Sequence, residues 1–575
     1  MILQKNLNAL ESTNRPLKEK ILNLKEENFI NIFPSQTPFI PPKEALTMPN
    51  IFFCGIGEGL FLKKLINKHI FIFDKVEFFA NVLSKIDLSI ELSSGKIYLC
   101  DVEEKRLEEQ LCLLFSQADC FEYLGLFKLF SYSQFYDKST MEDFVYQKCI
   151  SVISRVVGNV DVSFDMDTKI HRQFLLNLPS VLKNIPLQRF IYENKGKNKS
   201  VIVVCAGPSL NKQLNLLRQY QDDFVIFSLD ATYKTLLKNE IYPDFVFSMD
   251  ISKVCALFYE NLPFNLKEPI YVISSNVDQA LVQILKDKKK KIFTLKNVDY
   301  QQDFRLNDFV YMDSGVNVAH FAYSFAIALG FLNVIMIGQD LAFNESGNSH
   351  ADVSAFTFHN VEEAEHTTPK LSVLAYGQKD FVQSHIGWDE MRKRLEVLFV
   401  SNSQINFYNA TQGGAHIDYT IEIPFEEILR KLKQEKKDYI LPNILSENKQ
   451  AKLLKKILDR ILKENLELSY LFFEGSKLLE ILQKLKNQNE TQNYDVIIKN
   501  IFDFNTMIDK SYVLRYSMYM PLFYYRGFFN VNLYQDSNNI ANAYIDFLKI
   551  FLDFCERSLK NTNLAIENYK ILLKL

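Results

Sequence analysis

The residues that could do chemistry in this sequence gather around one turn. In VVCAGPSLNKQLNLL, residues 203–217, an apolar run breaks at Gly207-Pro208-Ser209 where a helix-like pattern begins. Gly207 lets backbone approach a neighbour closely, Pro208 fixes φ, and Ser209 is a favourable helix N-cap. Free N–H groups at the positive end of a helix dipole suit a phosphate. An ordinary strand–turn–helix junction accounts for the same residues. Further along, Asp230, Asp250, the pair Asp313-Ser314 before Gly315, and the pair Gln339-Asp340 each follow an apolar run. Five histidines, His350, His359, His366, His385 and His416, all come after Asp340. His350, Asp352 and His359 lack the tight ligand spacing of a metal site.

Elements that would position these residues can be read between about 196 and 425. SVIVVCAG, DDFVIFSLD, YPDFVFSMD, EPIYVISSN and LNVIMIGQD read as strands, and SGVNVAHFAYSFAIALGF reads as a helix. Strand–helix alternation predicts a mainly parallel sheet covered by helices on both faces. Ligands of such sheets sit beyond the carboxyl ends of the strands, where the short polar residues fall. The lysine run 288–291 precedes a strand and reads as a solvated loop.

Upstream, NIFFCGIGEGLFLKKLINKHIFIFD reads as strand, glycine turn (Gly55, Gly57, Gly59), helix, strand and then Asp74. This is the opening of a nucleotide-fold βαβ unit, with Asp74 placed for a ribose. The glycine spacing is short, and Glu58 within the turn would repel a phosphate, so a purely structural α/β domain is the competing reading. Downstream of 425, Leu/Ile stripes at helical spacing predict a helical bundle, and the aromatic run YVLRYSMYMPLFYYRGFF is its candidate partner surface. The expected domains are a Rossmann-like α/β domain with helical connector at 1–195, a central α/β domain at 196–425 and a helical domain at 426–575.

Bulk properties narrow the function classes. The 575 residues suit about three to four domains, and a net charge of −3 gives no broad nucleic-acid footprint. Eight cysteines form no C-x-x-C pair, which favours reduced thiols over a disulfide scaffold. No secretory signal or spanning apolar run is visible, so a cytoplasmic protein without a membrane span is expected.

With these motifs laid out, VVCAGPSLNKQ, FSLDATYKTLLKNEIYPDFVFSMDIS and DSGVNVAHFAYSFAIALGFLNVIMIGQDLAF resemble the central domain of the motility-associated factor (Maf) flagellin glycosyltransferases. The likeness extends to the three-part layout and is most specific over about 200–345. The same segments resemble the bacterial sialyltransferases that use CMP-sialic acid, which carry asparagines in place of Asp230 and Asp250. The Gly-Pro-Ser region is also similar to archaeal pterin pyrophosphokinases.

The resemblance implies a sialyltransferase-like central domain. It also implies a CMP-activated nonulosonic acid donor (pseudaminic or legionaminic acid) and Ser or Thr of flagellin as acceptor. It places Gly207, Pro208 and Ser209 on the donor phosphate, and Ser314 and Gly315 on phosphate or ribose. Asp230 and Asp250 are expected at ribose, acceptor or a divalent cation (Mg or Mn). Asp340 closes a strand before a loop, 341–383, that could act as a lid, and Asp250 and Asp340 are expected to contact substrate and to serve catalysis. His385 is the expected general base, with His416 as rival; a helix cap is the plainer account of His385. The alternatives are a pterin pyrophosphokinase-like diphosphotransferase and a non-catalytic flagellar assembly factor.

Overall fold

NIFFC and HIFIFD each carry an unbroken apolar run, 51–54 and 70–73, as strands covered on both faces do. They form β1 (Asn50–Cys54) and β2 (His69–Asp74), buried throughout. With β3 (Ile97–Asp101) and β4 (Leu129–Ser131) they make a parallel sheet in the order β3-β2-β1-β4. Alternate side chains feed two cores. Ile51, Phe53, Ile70 and Ile72 point into one; Phe52, Phe71 and Phe73 point into the other, where Phe52 stacks on Phe71 at 4.9 Å. The computed structural model describes the chain except residues 1, 26, 28, 30–40, 43–44, 46–47, 66–67, 105–106, 133–139, 160–163, 264–266, 313–314, 316, 352–369, 433–436, 488–493, 512–513, 515–536 and 575. The aromatic run at 512–529 therefore lies almost wholly outside the described residues.

The described chain divides into two units, Met1–Asp167 with Ser469–Glu556, and Thr168–Leu468 with Arg557–Leu575. In the first unit the glycine turn after β1 is closed from within. Asp74 is fully buried and accepts from the Ile56 amide at 2.9 Å and the Lys75 amide at 2.9 Å. The Tyr132 ring fills the space over Gly57, where a Cβ would stand 1.8 Å from Tyr132 Cε2. The turn's residues thus serve the fold, and Asp74 faces its own loop rather than a ribose. Gly57→Ala is expected to destabilise the protein by about 2–4 kcal/mol, because φ is +54° and a buried ring must move. Gly95→Ala is the control: its φ is +70° but nothing lies within 4 Å, so about 1 kcal/mol is expected. Differential scanning calorimetry of the two variants checks the contrast.

The first unit also contains the helix Tyr494–Lys510 and parts of the helices Glu447–Asn487 and Ser537–Leu573. Gly475 allows their contact, since a Cβ there would meet Leu552 and Phe504 at 3.1 Å. Phe504 and Phe551 pack edge to face at 5.5 Å.

Among the described residues of the second unit, nine parallel strands form one sheet. Residue by residue they are β5 (Ser200–Val204), β6 (Val225–Leu229), β7 (Phe245–Ser248), β8 (Ile270–Ser274), β9 (Lys291–Lys296), β10 (Tyr311–Met312), β11 (Asn333–Ile337), β14 (Asn406–Asn409) and β15 (Ile421–Glu422). An antiparallel hairpin, β12 (Lys370–Leu374) and β13 (Phe381–His385), stands apart. The sheet order is β10-β9-β8-β7-β6-β5-β11-β14-β15. The chain therefore winds outward from β5 in one direction and resumes at β11 in the other. The loops leaving β5 and β11 diverge, and a crevice at the carboxyl ends follows from that reversal.

Val201, Val203, Phe227, Phe247 and Met336 pack under the helix Val318–Ala328 through Phe321, Ala322 and Phe325. Ile202, Val204, Ile226, Ile335 and Ile337 face the opposite core with Leu210 and Leu217. Lys291 departs from the solvated-loop expectation. It is buried, and its ammonium donates to the Leu285 and Lys286 carbonyls at 2.8 Å. Among the described residues no helix is long and apolar enough to cross a membrane.

Candidate functional site

A cavity of about 300 Å³ opens at the β5–β11 reversal. Its floor is Cys205, Ala206 and Gly207 after β5, and Gly338, Gln339 and Asp340 after β11. Asp230 and Ala231, at the start of the helix Asp230–Lys238 after β6, form one wall. Leu229, Asn317, Val318, Ser349, His350, Trp388 and Met391 are also among the lining residues.

The Gly-Pro-Ser turn is built differently from the expectation. Residues Pro208–Lys212 form a short 3-10 turn capped by Gly207, and Ser209 caps nothing. Instead Ser209 Oγ donates to Asp340 Oδ2 at 2.8 Å, and the Ser209 amide faces both carboxylate oxygens at 3.3 Å. An internal carboxylate thus occupies the place that the sequence suggested for a phosphate. Burial pushes the Asp340 carboxyl up to about 6, against the pull of the Ser209 hydroxyl and amide. Gly207 is obligatory here: a Cβ would stand 2.0 Å from Asp340 Oδ2 and 2.5 Å from the Gly338 carbonyl. Gly414 makes the same close approach from the other side: a Cβ there would stand 2.3 Å from the Asp340 carbonyl oxygen. Asp340 therefore clamps the end of β11 to the turn after β5.

Asp230 is only 4 % exposed. Its Oδ1 accepts from the Ala231 amide at 2.8 Å, and Oδ2 has no hydrogen-bond partner among the described residues. Burial pushes the carboxyl up to about 7; the Ser248 hydroxyl and Ala231 amide oppose the rise, and the charge of Asp250 adds to it. The unfolded group ionises near 3.8, so the folded state holds the extra proton between about 4 and 7. Stability from this group is present at low pH and falls as pH rises through that window. Asp230→Asn is expected to stabilise the protein by about 2 kcal/mol at pH 8 and to have little effect at pH 4, read as the shift in thermal midpoint.

Asp250 is exposed two residues past the end of β7, where its Oδ1 accepts from the Ser252 amide at 2.7 Å. Pro208, Ser209 and Asp250 are not among the cavity's lining residues, whereas Gly207, Asp230 and Asp340 are. Ser314 lies outside the described residues. Gly315, at φ +62°, packs against the ring of His320, and the helix that follows starts at Asn317, which supplies the cap by accepting from the His320 amide at 2.8 Å. The stretch 341–383 contains β12 and most of β13 and is not one structureless lid; its 352–369 part, with Asp352, His359 and His366, lies outside the described residues. Among the described residues no group of three or more His, Cys, Asp or Glu side chains is placed to hold a metal ion.

The histidines separate by environment. His385 caps the helix Ile386–Val400, its Nδ1 accepting from the Gly387 and Trp388 amides at 3.1 and 3.4 Å. That lone pair is engaged, so the neutral ring carries its hydrogen on Nε2 and is a donor there rather than a base. Burial lowers its pKa, and its ring packs on Trp388 at 4.0 Å. His416 turns both ring nitrogens to carboxylates, Glu422 at 2.7 Å and Asp418 at 3.1 Å. Among the described residues, His350 is the histidine that lines the cavity. Its Nδ1 lies 2.8 Å from Ser349 Oγ, and burial lowers its pKa to about 4, so the ring is neutral near pH 7. The next residue ties this segment over the β5 turn, Ala351 N donating to the Ala206 carbonyl at 2.9 Å.

The comparisons with known proteins fall on this region. Residues 172–346 match the family model described as 6-hydroxymethylpterin diphosphokinase MptE-like. Among solved structures, the Maf glycosyltransferase from Magnetospirillum magneticum AMB-1 aligns over 100 % of this chain and 96 % of its own, with a TM-score of 0.53. The chain is similar in fold to a Maf glycosyltransferase. At 13 % identity the likeness to the Magnetospirillum enzyme is one of architecture. It covers the parallel sheets and the C-terminal helical region alike, and the family match includes the segments about 200–345 that carry the sequence resemblance. Comparison with curated proteins gives no match.

Proposed function

We propose that this protein is a glycosyltransferase that moves a nonulosonic acid, pseudaminic or legionaminic, from its CMP donor to Ser or Thr hydroxyls of flagellin. The observation that carries the reading is the cavity at the strand-order reversal of a chain whose fold matches a Maf glycosyltransferase from end to end. In the reaction the acceptor oxygen bonds to the anomeric carbon, the bond from that carbon to the CMP phosphate breaks, and CMP leaves. The acceptor hydroxyl's proton must go to a base.

His350 takes that role in this reading, because it is neutral and lines the cavity. The anionic donor beside it favours the imidazolium that forms. Asp340 acts by holding the Ser209 turn, and Asp230 contacts the donor. Asp250 is left to the acceptor side or a cation.

A second reading has its own support in the description of the family that residues 172–346 match: diphosphate transfer to a hydroxymethylpterin. The test is one experiment with two arms. Purified protein is mixed with flagellin and, in turn, CMP-pseudaminic and CMP-legionaminic acid, and intact flagellin mass is measured; in parallel it is given ATP, magnesium and 6-hydroxymethylpterin. A sugar-sized mass increase supports the first reading. A pterin diphosphate product supports the second. Flagellin binding with no mass gain from any CMP-nonulosonate overturns the transferase reading in favour of an assembly factor.

A further inference from the structure

We infer that the Asp230 wall of the cavity takes an aminopyrimidine ring, with the exocyclic amino group donating to Asp230 Oδ2. The inference rests on the cavity being the substrate pocket and names which part of the substrate enters it. The amino-bearing pyrimidine edge is shared by cytosine and by pterins, so both sources fit the same contact.

The first ground is the orphaned oxygen. Asp230 is more than nine-tenths buried, lines the cavity, and leaves Oδ2 without a hydrogen-bond partner among the described residues. A buried acceptor left unpaired is costly, and a ligand N–H at that position removes the cost. Oδ1 is already engaged by the Ala231 amide at 2.8 Å, and the neighbouring Ser248 hydroxyl is engaged with the Tyr259 hydroxyl at 2.6 Å.

The second ground is charge. Two aspartates line the cavity, and among the described lining residues none is Lys or Arg. An anionic phosphate against the Asp230 wall would meet a carboxylate with no compensating cation. The turn amide most suited to an anion, that of Ser209, already faces Asp340. What fits this wall is a neutral heterocycle that offers N–H donors.

The third ground is size and surface. About 300 Å³ is at the small end of ligand pockets and holds a ring with its sugar. Leu229, Val318, Met391 and the Trp388 indole give it apolar and aromatic faces.

The test uses the full chain at pH 8, where Asp230 is ionised and Oδ2 only accepts. Isothermal titration is run with CMP, UMP and 6-hydroxymethylpterin. CMP, with its 4-amino group, is expected to bind at least about tenfold more tightly than UMP, with its 4-oxo group. In Asp230→Asn the free position becomes an N–H donor while the shape is kept. That variant is expected to bind UMP more tightly than CMP, a reversal that general damage to the pocket cannot produce. Pterin binding that is stronger than CMP binding, and lost in Asp230→Asn, supports the same contact and assigns it to the second source. Equal binding of CMP and UMP, unchanged by Asp230→Asn, overturns this inference while the transferase reading stands. No binding of any of the three overturns both.

Discussion

Gly338→Ala is expected to unfold the second unit or to destabilise it by more than about 4 kcal/mol. Gly338 follows β11 at φ +65°, and a Cβ there would stand 2.2 Å from the Cys205 carbonyl oxygen and 3.0 Å from its carbon. Neither atom is the end of a flexible side chain. Both belong to the floor of the cavity, where the Cys205 amide donates to Ile337 at 2.9 Å and the Gly207 amide donates to Gly338 at 2.8 Å. Relieving the clash means parting β5 from β11. The left-handed φ adds its own cost for any residue with a Cβ. Gly347→Ala separates the two effects, since its φ is +82° with nothing within 4 Å, and about 1 kcal/mol is expected there. Trp388, the only tryptophan of the chain, lies in the same unit, so thermal unfolding followed by its fluorescence reports on this unit. A Gly338→Ala midpoint within two degrees of the parent would contradict the packing described for the turn.

His350→Ala is expected to lower turnover of sugar transfer by about 10²–10⁴-fold while the donor's KM changes little. The expectation follows from its place in the cavity and from a ring kept neutral by burial, with its Nδ1 held at 2.8 Å from Ser349 Oγ. His385→Ala should behave differently. It removes a cap that serves two backbone amides, which costs about 1 kcal/mol of stability, and turnover should stay within a few-fold. Initial rates from intact flagellin mass, measured for both variants, decide the assignment. If His385→Ala abolishes transfer and His350→Ala does not, the base assignment is reversed.

How much of this was legible in the sequence depends on distance along the chain. Asp230 and Asp340 were readable as residues at one sheet edge, because a parallel sheet collects the carboxyl ends of its strands on one side. The partner of Ser209 was not readable. Asp340 lies 131 residues away, and only the reversal of strand order that seats β11 beside β5 brings them together. Hydrophobic periodicity encodes strands but not their order. Asp250 looked equivalent to Asp230, yet β7 ends at Ser248 and the chain carries Asp250 out to solvent.

His350 sits on an irregular segment with no period to mark it, and its place at the cavity comes from the next residue, Ala351, whose amide donates to the Ala206 carbonyl. Nothing in the pattern of the helix Ile386–Val400 marks Trp388 for the cavity; its standing as the sole tryptophan was the one available signal. The glycine turn after β1 failed for a similar reason. Tyr132, 75 residues beyond Gly57, fills the space that a cofactor would need, and no local pattern announces it.

The position of Trp388 supplies the most direct test of the central claim, that the crevice between β5 and β11 is where substrate binds. Its indole lines the cavity, and no other tryptophan contributes to emission at 295 nm excitation. Titrating the full chain with CMP, a CMP-nonulosonate and 6-hydroxymethylpterin should give saturable quenching or a spectral shift with at least one of them, reduced in Asp230→Ala. A flat signal with all three, from protein whose thermal transition shows it folded, would contradict the account.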